Sequence, residues 1–271
     1  MRSDQTGGTT GTLLQPSAWK VNQRVLGALL IRELLTRYGR NNIGFMWLFV
    51  EPMLFTLAIT AFWTATRSIH GSDIPIVAFA LTGYSSVLLW RNMASRCLNA
   101  VDTNKALLYH RQVTIIDVYL SRIILEILSV STSFVALGLA LFLMNWAPAP
   151  EDPLQVFEGW LLMCWFGAAL ALTLGGLAEK VEVIRRLWAP FAFILFAASG
   201  VGFLLDVIPE SVRNFLLWLP MVSILEFMRE GWFGSHFHAY YDIAYVVVTN
   251  LILTFLGLNL VRQIGLNTDE E

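Results

Sequence analysis

The chain alternates between long apolar runs and shorter polar connections. A bilayer core of about 30 Å takes roughly 20 mostly apolar residues in a helix. Six runs meet or approach that length: 43–64, 74–90, 124–144, 157–177, 187–205 and 243–261. The second is the shortest and extends into polar flanks. The pattern predicts an all-α integral membrane protein with six transmembrane helices, a flexible tail over 1–18 and a C-terminal tail over 266–271.

Two apolar stretches do not fit a span. Residues 19–40, WKVNQRVLGALLIRELLTRYGR, carry a charge every few positions without gathering the charges on one clean face. They predict a helix lying along the inner membrane surface, with Gly39 as its stop. Residues 207–234 contain two prolines, Pro209 to open a helix and Pro220 to break it. Each half is about ten residues, roughly 15 Å of helix, too short to cross. Arg213, Glu226, Arg229 and Glu230 oppose exposure to lipid. A re-entrant helical hairpin entering from the outer face is expected, packed against protein or a water-filled cavity.

Composition sharpens the class. Hydrophobic residues make up 56% and charged residues 14%, with mean hydropathy +0.61; a soluble domain carries about a quarter charged residues. Lys and Arg are unevenly spread. The N-terminal region, the second and fourth connections and the C-terminal tail hold 15, and the other side holds Arg67, Arg213 and Arg229. Positive charge stays in the cytoplasm, so both termini are expected inside. Trp63, Trp90, Trp146 and Trp188 lie near span ends, where an interfacial belt or stacking on a substrate ring would place them.

Candidate chemistry is sparse. Cys97 and Cys164 fall in different environments, and no disulfide framework is expected. The Gly/Thr cluster GGTTGT lacks the Lys-Ser/Thr pair of a phosphate loop, and no such pair occurs in the chain, so nucleotide hydrolysis by that route is excluded. His236 and His238 with Asp242 read as a solvated outer loop or as metal ligands. A membrane-embedded transferase would need a grouping of acid, base and nucleophile that the sequence does not offer. The second connection, from Arg91 to about Arg122, reads either as a docking element for a cytoplasmic partner, with Leu98, Val101, Ala106 and Leu107 giving short helical surfaces, or as a solvated loop.

The first span poses its own question. At about 100° per residue, Trp47, Glu51, Phe55 and Phe62 fall within about 80° of one another. An acid within a span faces protein or water. Glu51 therefore either bonds to a neighbouring helix or borders a translocation path whose aromatic rings suit sugars. Pro52 frees the carbonyl of Leu48 and can kink the helix.

Three stretches carry a resemblance. They are RYGRNNIGFMWLFVEP with Arg37, Tyr38, Gly39, Gly44, Trp47, Glu51 and Pro52; NKALLYHRQVTIIDVYLSRIILE with Lys105, Arg111, Val113, Asp117, Arg122 and Glu126; and LLWLPMVSILEFMRE with Trp218, Pro220, Glu226, Arg229 and Glu230. Over about residues 20–265 the chain resembles the membrane subunit of type-2 ABC exporters, specifically the capsular-polysaccharide export permeases. Leu219 and Ser223 stand where that family commonly has Asn and His.

The resemblance implies a multi-pass inner-membrane subunit that pairs with a second copy of itself. Two separate ATP-binding chains would carry ATP and magnesium, with no cofactor on this chain. The cargo would be a lipid-linked acidic polysaccharide moved from cytoplasm to periplasm. A periplasmic co-polymerase and outer-membrane export proteins complete the expected partners, without nucleic acid. Related permeases for O-antigen, teichoic acid or a drug remain the alternative. Within this frame Arg37, Arg40 and Lys105 would meet cargo at the inner mouth, or serve only as flanking positive charge. Asn99, Asp102, Asn104, Lys105 and Arg111 would dock the ATP-binding chain. Trp218, Pro220, Glu226, Arg229 and Glu230 would form a periplasmic gate.

Overall fold

The computed structural model describes residues 18–38, 42–66, 74–108 and 113–270. Every regular element among the described residues is helical. In chain order these are α1 (Ala18–Tyr38), α2 (Asn42–Thr66), α3 (Ile76–Cys97), α4 (Lys105–Leu108), α5 (Ile115–Leu143), α6 (Pro153–Lys180), α7 (Val183–Ala198), α8 (Glu210–Leu216), α9 (Pro220–Phe233) and α10 (Ile243–Glu270). A 3-10 turn, Asp102–Asn104, leads into α4. By length and composition, Ile115–Leu143, Pro153–Lys180 and Ile243–Leu266 can each cross a membrane, and a fourth crossing exists if α8 and α9 are counted as one bent unit.

Local sequence sets the helix starts. Thr114 and Asp117 form a capping box at α5: the Thr114 amide donates to Asp117 Oδ2 (3.0 Å), and the Asp117 amide donates to Thr114 Oγ1 (3.4 Å). Asp152 caps α6 by accepting from the amides of Leu154 and Gln155 at 3.0 and 3.1 Å, and Pro153 occupies the first turn where its missing amide costs nothing. Pro220 opens α9 in the same way. The axes of α8 and α9 differ by 104° across Leu217–Leu219.

The core lies where α3, α5, α6 and α9 meet. The run from Ala78 to Trp90 is buried throughout. Phe134 of α5 stacks on Trp160 of α6 at 4.4 Å, and Trp232 of α9 meets Phe134 edge-on at 5.9 Å. Trp160 is anchored by its indole N–H to Ser131 Oγ (2.8 Å). The α6–α10 contact is close: a Cβ on Gly257 would lie 2.9 Å from the Thr173 amide nitrogen, so only glycine fits.

Two expectations are corrected here. Trp90 and Trp188 are core residues, 0% and 5% exposed, packed edge to face at 6.4 Å with the Trp188 indole donating to Ser95 Oγ (2.8 Å). They are not interfacial belts; Trp146, 62% exposed, does lie outside the core. Of the two readings of the second connection, its described residues depart from a solvated loop. Helix α3 runs on to Cys97 and α5 begins at Ile115, while Leu98, Ala100, Val101 and Asn104 between them are buried. Hydropathy lost the helix ends because their charged residues have partners within the protein. Helix α2 is continuous through Pro52. Gly39 lies outside the described residues.

Candidate functional site

The turn Asp102–Asn104 is built from three consecutive polar residues, each held by an arginine from a different helix. Asp102 pairs with Arg185 of α7, whose guanidinium also bonds Glu179 at the end of α6 (2.5 Å). Thr103 accepts from Arg122 Nη2 of α5 at 2.6 Å. Asn104 accepts from Arg32 Nη1 of α1 at 2.6 Å and donates to the Ala100 carbonyl at 2.8 Å. Arg122 also donates to the Arg96 carbonyl (2.5 Å) and lies 3.6 Å from Glu33 of α1. Three helices, α1, α5 and α7, therefore bond a turn of three residues, and α6 supports one of them through Glu179.

Lys105 adds an ion pair to Asp102 at 2.8 Å and is itself 68% exposed. Its hydrogen bond, supported by Arg185, holds the Asp102 carboxyl below the usual carboxylate range despite partial burial. The same bond pushes the Lys105 ammonium upward. Asn99 is exposed at the end of α3. Of the five expected docking residues, Asn99 and Lys105 face outward and Asp102 is partly covered. Asn104 is 4% exposed and turned inward. Arg111 lies outside the described residues, as does Arg40. Arg37 is on the last turn of α1, with its side chain outside the described residues.

On α2, Trp47 and Phe62 are 51% and 60% exposed, whereas Thr56 and Thr60 on the opposite face are buried. Thr60 Oγ1 donates to the Thr56 carbonyl (2.8 Å), which satisfies the hydroxyl within the helix. The aromatic stripe therefore points away from this chain's core. Glu51 and Phe55 share that face by helical position, and their side chains lie outside the described residues.

The bent pair α8–α9 is organised around Arg229, which is fully buried. Its Nη1 donates to the Gly200 carbonyl (2.7 Å), and its Nη2 donates to the carbonyls of Val201 (3.1 Å) and Phe79 (3.4 Å). The guanidinium carbon sits 3.5 Å from the centre of the Phe79 ring, a cation–π contact. Gly83 makes the room: a Cβ there would fall 2.7 Å from Arg229 Nη2. One side chain thus fastens α9 to α3 and to the chain that leaves α7.

Glu226, one turn earlier and 1% exposed, accepts from the Tyr240 amide (3.4 Å). Glu230 accepts from Tyr241 Oη and from Gln155 Nε2, both at 2.7 Å. Trp218 is 74% exposed, and its carbonyl accepts from Tyr245 Oη (2.6 Å). The expected gate residues therefore separate into an elbow, with Trp218 exposed and Pro220 half-buried, and a bonded shaft, Glu226, Arg229 and Glu230. His238 packs against Tyr240, and among the described residues no group of three or more His, Cys, Asp or Glu is placed to hold a metal.

A helical bundle with a bent helix pair and a buried turn is the setting for comparison with known proteins. The family model for ABC-2 type transporters matches residues 24–233, from within α1 to the end of α9. The chain belongs to the ABC-2 type transporter family. Among curated relatives of this ABC-2 chain, the capsule polysaccharide export inner-membrane protein CtrC of Neisseria meningitidis serogroup B is 39% identical over 254 residues, covering 93% of this chain and 96% of CtrC. BexB of Haemophilus influenzae, with the same descriptive name, is 37% identical over 243 residues, covering 90% and 92%. The polysialic acid transport protein KpsM of Escherichia coli is 27% identical over 254 residues, covering 91% and 95%.

Sequence reasoning missed Arg32, Arg122, Glu179 and Arg185 as a set. Their only signal was the surplus of inner arginines, which a topology rule counts without assigning partners.

Proposed function

We propose that this ABC-2 protein is the membrane-spanning permease of an ATP-driven exporter that carries lipid-linked capsular polysaccharide from cytoplasm to periplasm. The observation that carries the reading is the 39% identity to a capsule polysaccharide export inner-membrane protein along 93% of the chain. The subunit resides in the inner membrane. Six spans, α2, α3, α5, α6, α7 and α10, put both termini in the cytoplasm, with α8 and α9 as the re-entrant hairpin. Two copies pair with two ATP-binding subunits that hold ATP and magnesium and dock near residues 99–111. The buried turn supports that docking position, because a rigid element receives force better than a loose loop.

In this reading cargo enters beside Arg37, Arg40 and Lys105, where phosphate or carboxylate oxygens accept charge-assisted hydrogen bonds. Trp47, Glu51, Phe55 and Phe62 line the approach, and the hairpin closes the outer end. The test is deletion and complementation. Loss of the gene should remove surface capsule and leave glycolipid inside the cell, and the purified chain should hydrolyse ATP only with its partner. Normal capsule in the deletion strain overturns the cargo assignment.

A further inference from the structure

We propose that a cavity beside the end of α9 seats an arginine side chain of a periplasmic partner protein, with Glu151 pairing its guanidinium. The inference rests on the six-span reading above, which puts this end of the bundle outside. The cavity measures about 310 Å³ and lies where three segments meet: the residues before α3, the residues before α6 and the end of α9. Backbone bonds join two of its walls. The Asp152 amide donates to the Gly231 carbonyl (2.8 Å), and the Glu151 amide donates to the Trp232 carbonyl (3.3 Å). The site is therefore largely formed before anything enters it.

The walls are mostly apolar. Pro75 and Pro148 have no amide to donate, and Phe233 and Trp232 contribute buried rings. Three polar groups in the lining stand apart from this. The side chains of Glu151 and His236 are exposed and form no ion pair or hydrogen bond among the described residues. The Trp232 indole nitrogen is buried and has no acceptor, which costs free energy until one is supplied. Glu151 is held in place by an absence. Its carboxylate occupies the space that a Cβ on Gly234 would need, and the φ of +53° at Gly234 favours glycine for its own reason.

Charge selects the occupant. The connections that frame the cavity, 144–156 and 205–242, carry seven Asp and Glu against two Arg and no Lys. Both Arg are engaged elsewhere, Arg213 over the Tyr240 ring at 4.0 Å and Arg229 on three carbonyls. An acidic saccharide is repelled from such a surface and a cation is drawn to it. Arginine suits the lining better than lysine. Its planar fork can pair with a carboxylate through two hydrogen bonds, and its flat face stacks on aromatic rings. The carbonyl of its own peptide group is the acceptor that the indole lacks. A polypeptide thus brings the cation, the apolar stem and the acceptor together.

The test uses the full chain assembled with its ATP-binding subunit in nanodiscs of phosphatidylcholine and phosphatidylglycerol. Ser235→Cys carries a bimane label at the rim, since Ser235 is exposed and both native cysteines are buried. The probe is the peptide acetyl-Leu-Arg-Leu-amide. It should change bimane emission with a dissociation constant of about 1 mM or tighter, while acetyl-Leu-Glu-Leu-amide and maltotriose leave the emission unchanged. Glu151→Gln keeps the size of the side chain and should weaken the arginine peptide by at least about fivefold. No binding of that peptide, or equal binding to Glu151→Gln, overturns the proposal. Equal binding of maltotriose makes the cavity a saccharide site, and loss of peptide binding when phosphatidylethanolamine is added makes it a lipid site; either result overturns it too. A membrane-impermeant maleimide separates the proposal from the topology beneath it. Ser235→Cys should label in intact spheroplasts. Labelling only in inverted vesicles refutes the six-span orientation first. Labelling on neither side until the protein is denatured shows that the assembled permease covers the cavity, which leaves the orientation standing and removes the site.

Discussion

Helices α6 and α7 are neighbours in sequence, both apolar and both expected as spans, yet they are secured in opposite ways. Thirteen of the 28 residues of α6 are buried, against two of the sixteen in α7. Helix α6 is fixed along its flanks by close approach to α10, where Thr173 Oγ1 donates to the Leu253 carbonyl (2.9 Å) and Trp165 donates to Thr254 Oγ1 (3.0 Å). Helix α7 is held by guanidinium groups at its ends and touches α3 through Trp188 and Phe196 between them. Apolar composition alone does not tell a mast from a rod. The partners of a few polar groups do.

The contrast can be broken at its strongest point first. Arg229→Ala removes the outer clamp and leaves the carbonyls of Gly200, Val201 and Phe79 without this donor. Loss of a buried charged partner of this kind costs about 3–5 kcal/mol. Thermal unfolding in detergent should show it as a large fall in midpoint, and an unchanged midpoint would mean that Arg229 does not hold α7.

A methyl group on the mast comes next. Gly257→Ala places its Cβ against the Thr173 amide, where backbone cannot move aside as a side chain can. Overpacking of this sort costs about 1–3 kcal/mol. The same unfolding assay checks it; full stability would show that α6 and α10 can separate without loss.

The inner end can be probed by pH. Asp102 is held below the usual carboxylate range, so its contribution is present above its unfolded value and lost as pH falls through the lower folded value. Lys105 is raised, so its part is present below its unfolded value and lost as pH rises through the higher folded one. Hydrogen exchange at residues 102–105 should therefore keep its protection factor between about pH 5 and 9, with loosening only below about 4 or above about 10. A midpoint near neutrality would assign the clamp to other groups.

The smallest effect belongs to the flank of α7. Phe193→Ala should shift stability of the single subunit by less than about 0.5 kcal/mol, as exposed positions do, because Phe193 is 71% exposed. A loss comparable to that of Gly257→Ala would show that the flank is covered in the purified protein.

Much of the fold was legible because backbone groups in lipid must bond internally, which forces helices and makes apolar length informative. Pro209 and Pro220 marked helix ends within the bent pair α8–α9, since proline opens or breaks a helix for steric reasons. Hydropathy failed at Trp90 and Trp188, which read as interfacial because ring chemistry suits both interface and core. It left 91–122 undecided between a docking element and a solvated loop, where the described residues form helix ends and a buried turn. The inner clamp was illegible because Arg32, Asn104, Arg122 and Arg185 meet only after the helices pack, across as many as 83 positions of sequence.

The ties of α1 also fix an order of events during synthesis. Arg32 bonds Asn104, 72 positions later, and Glu33 faces Arg122 further on still. At roughly 5–20 residues per second, a ribosome needs several seconds to deliver those partners after α1 emerges. For that interval the segment lacks its partners on the turn and α5 and has only α2 beside it. The first helix made is thus seated on these partners only once α5 has been made.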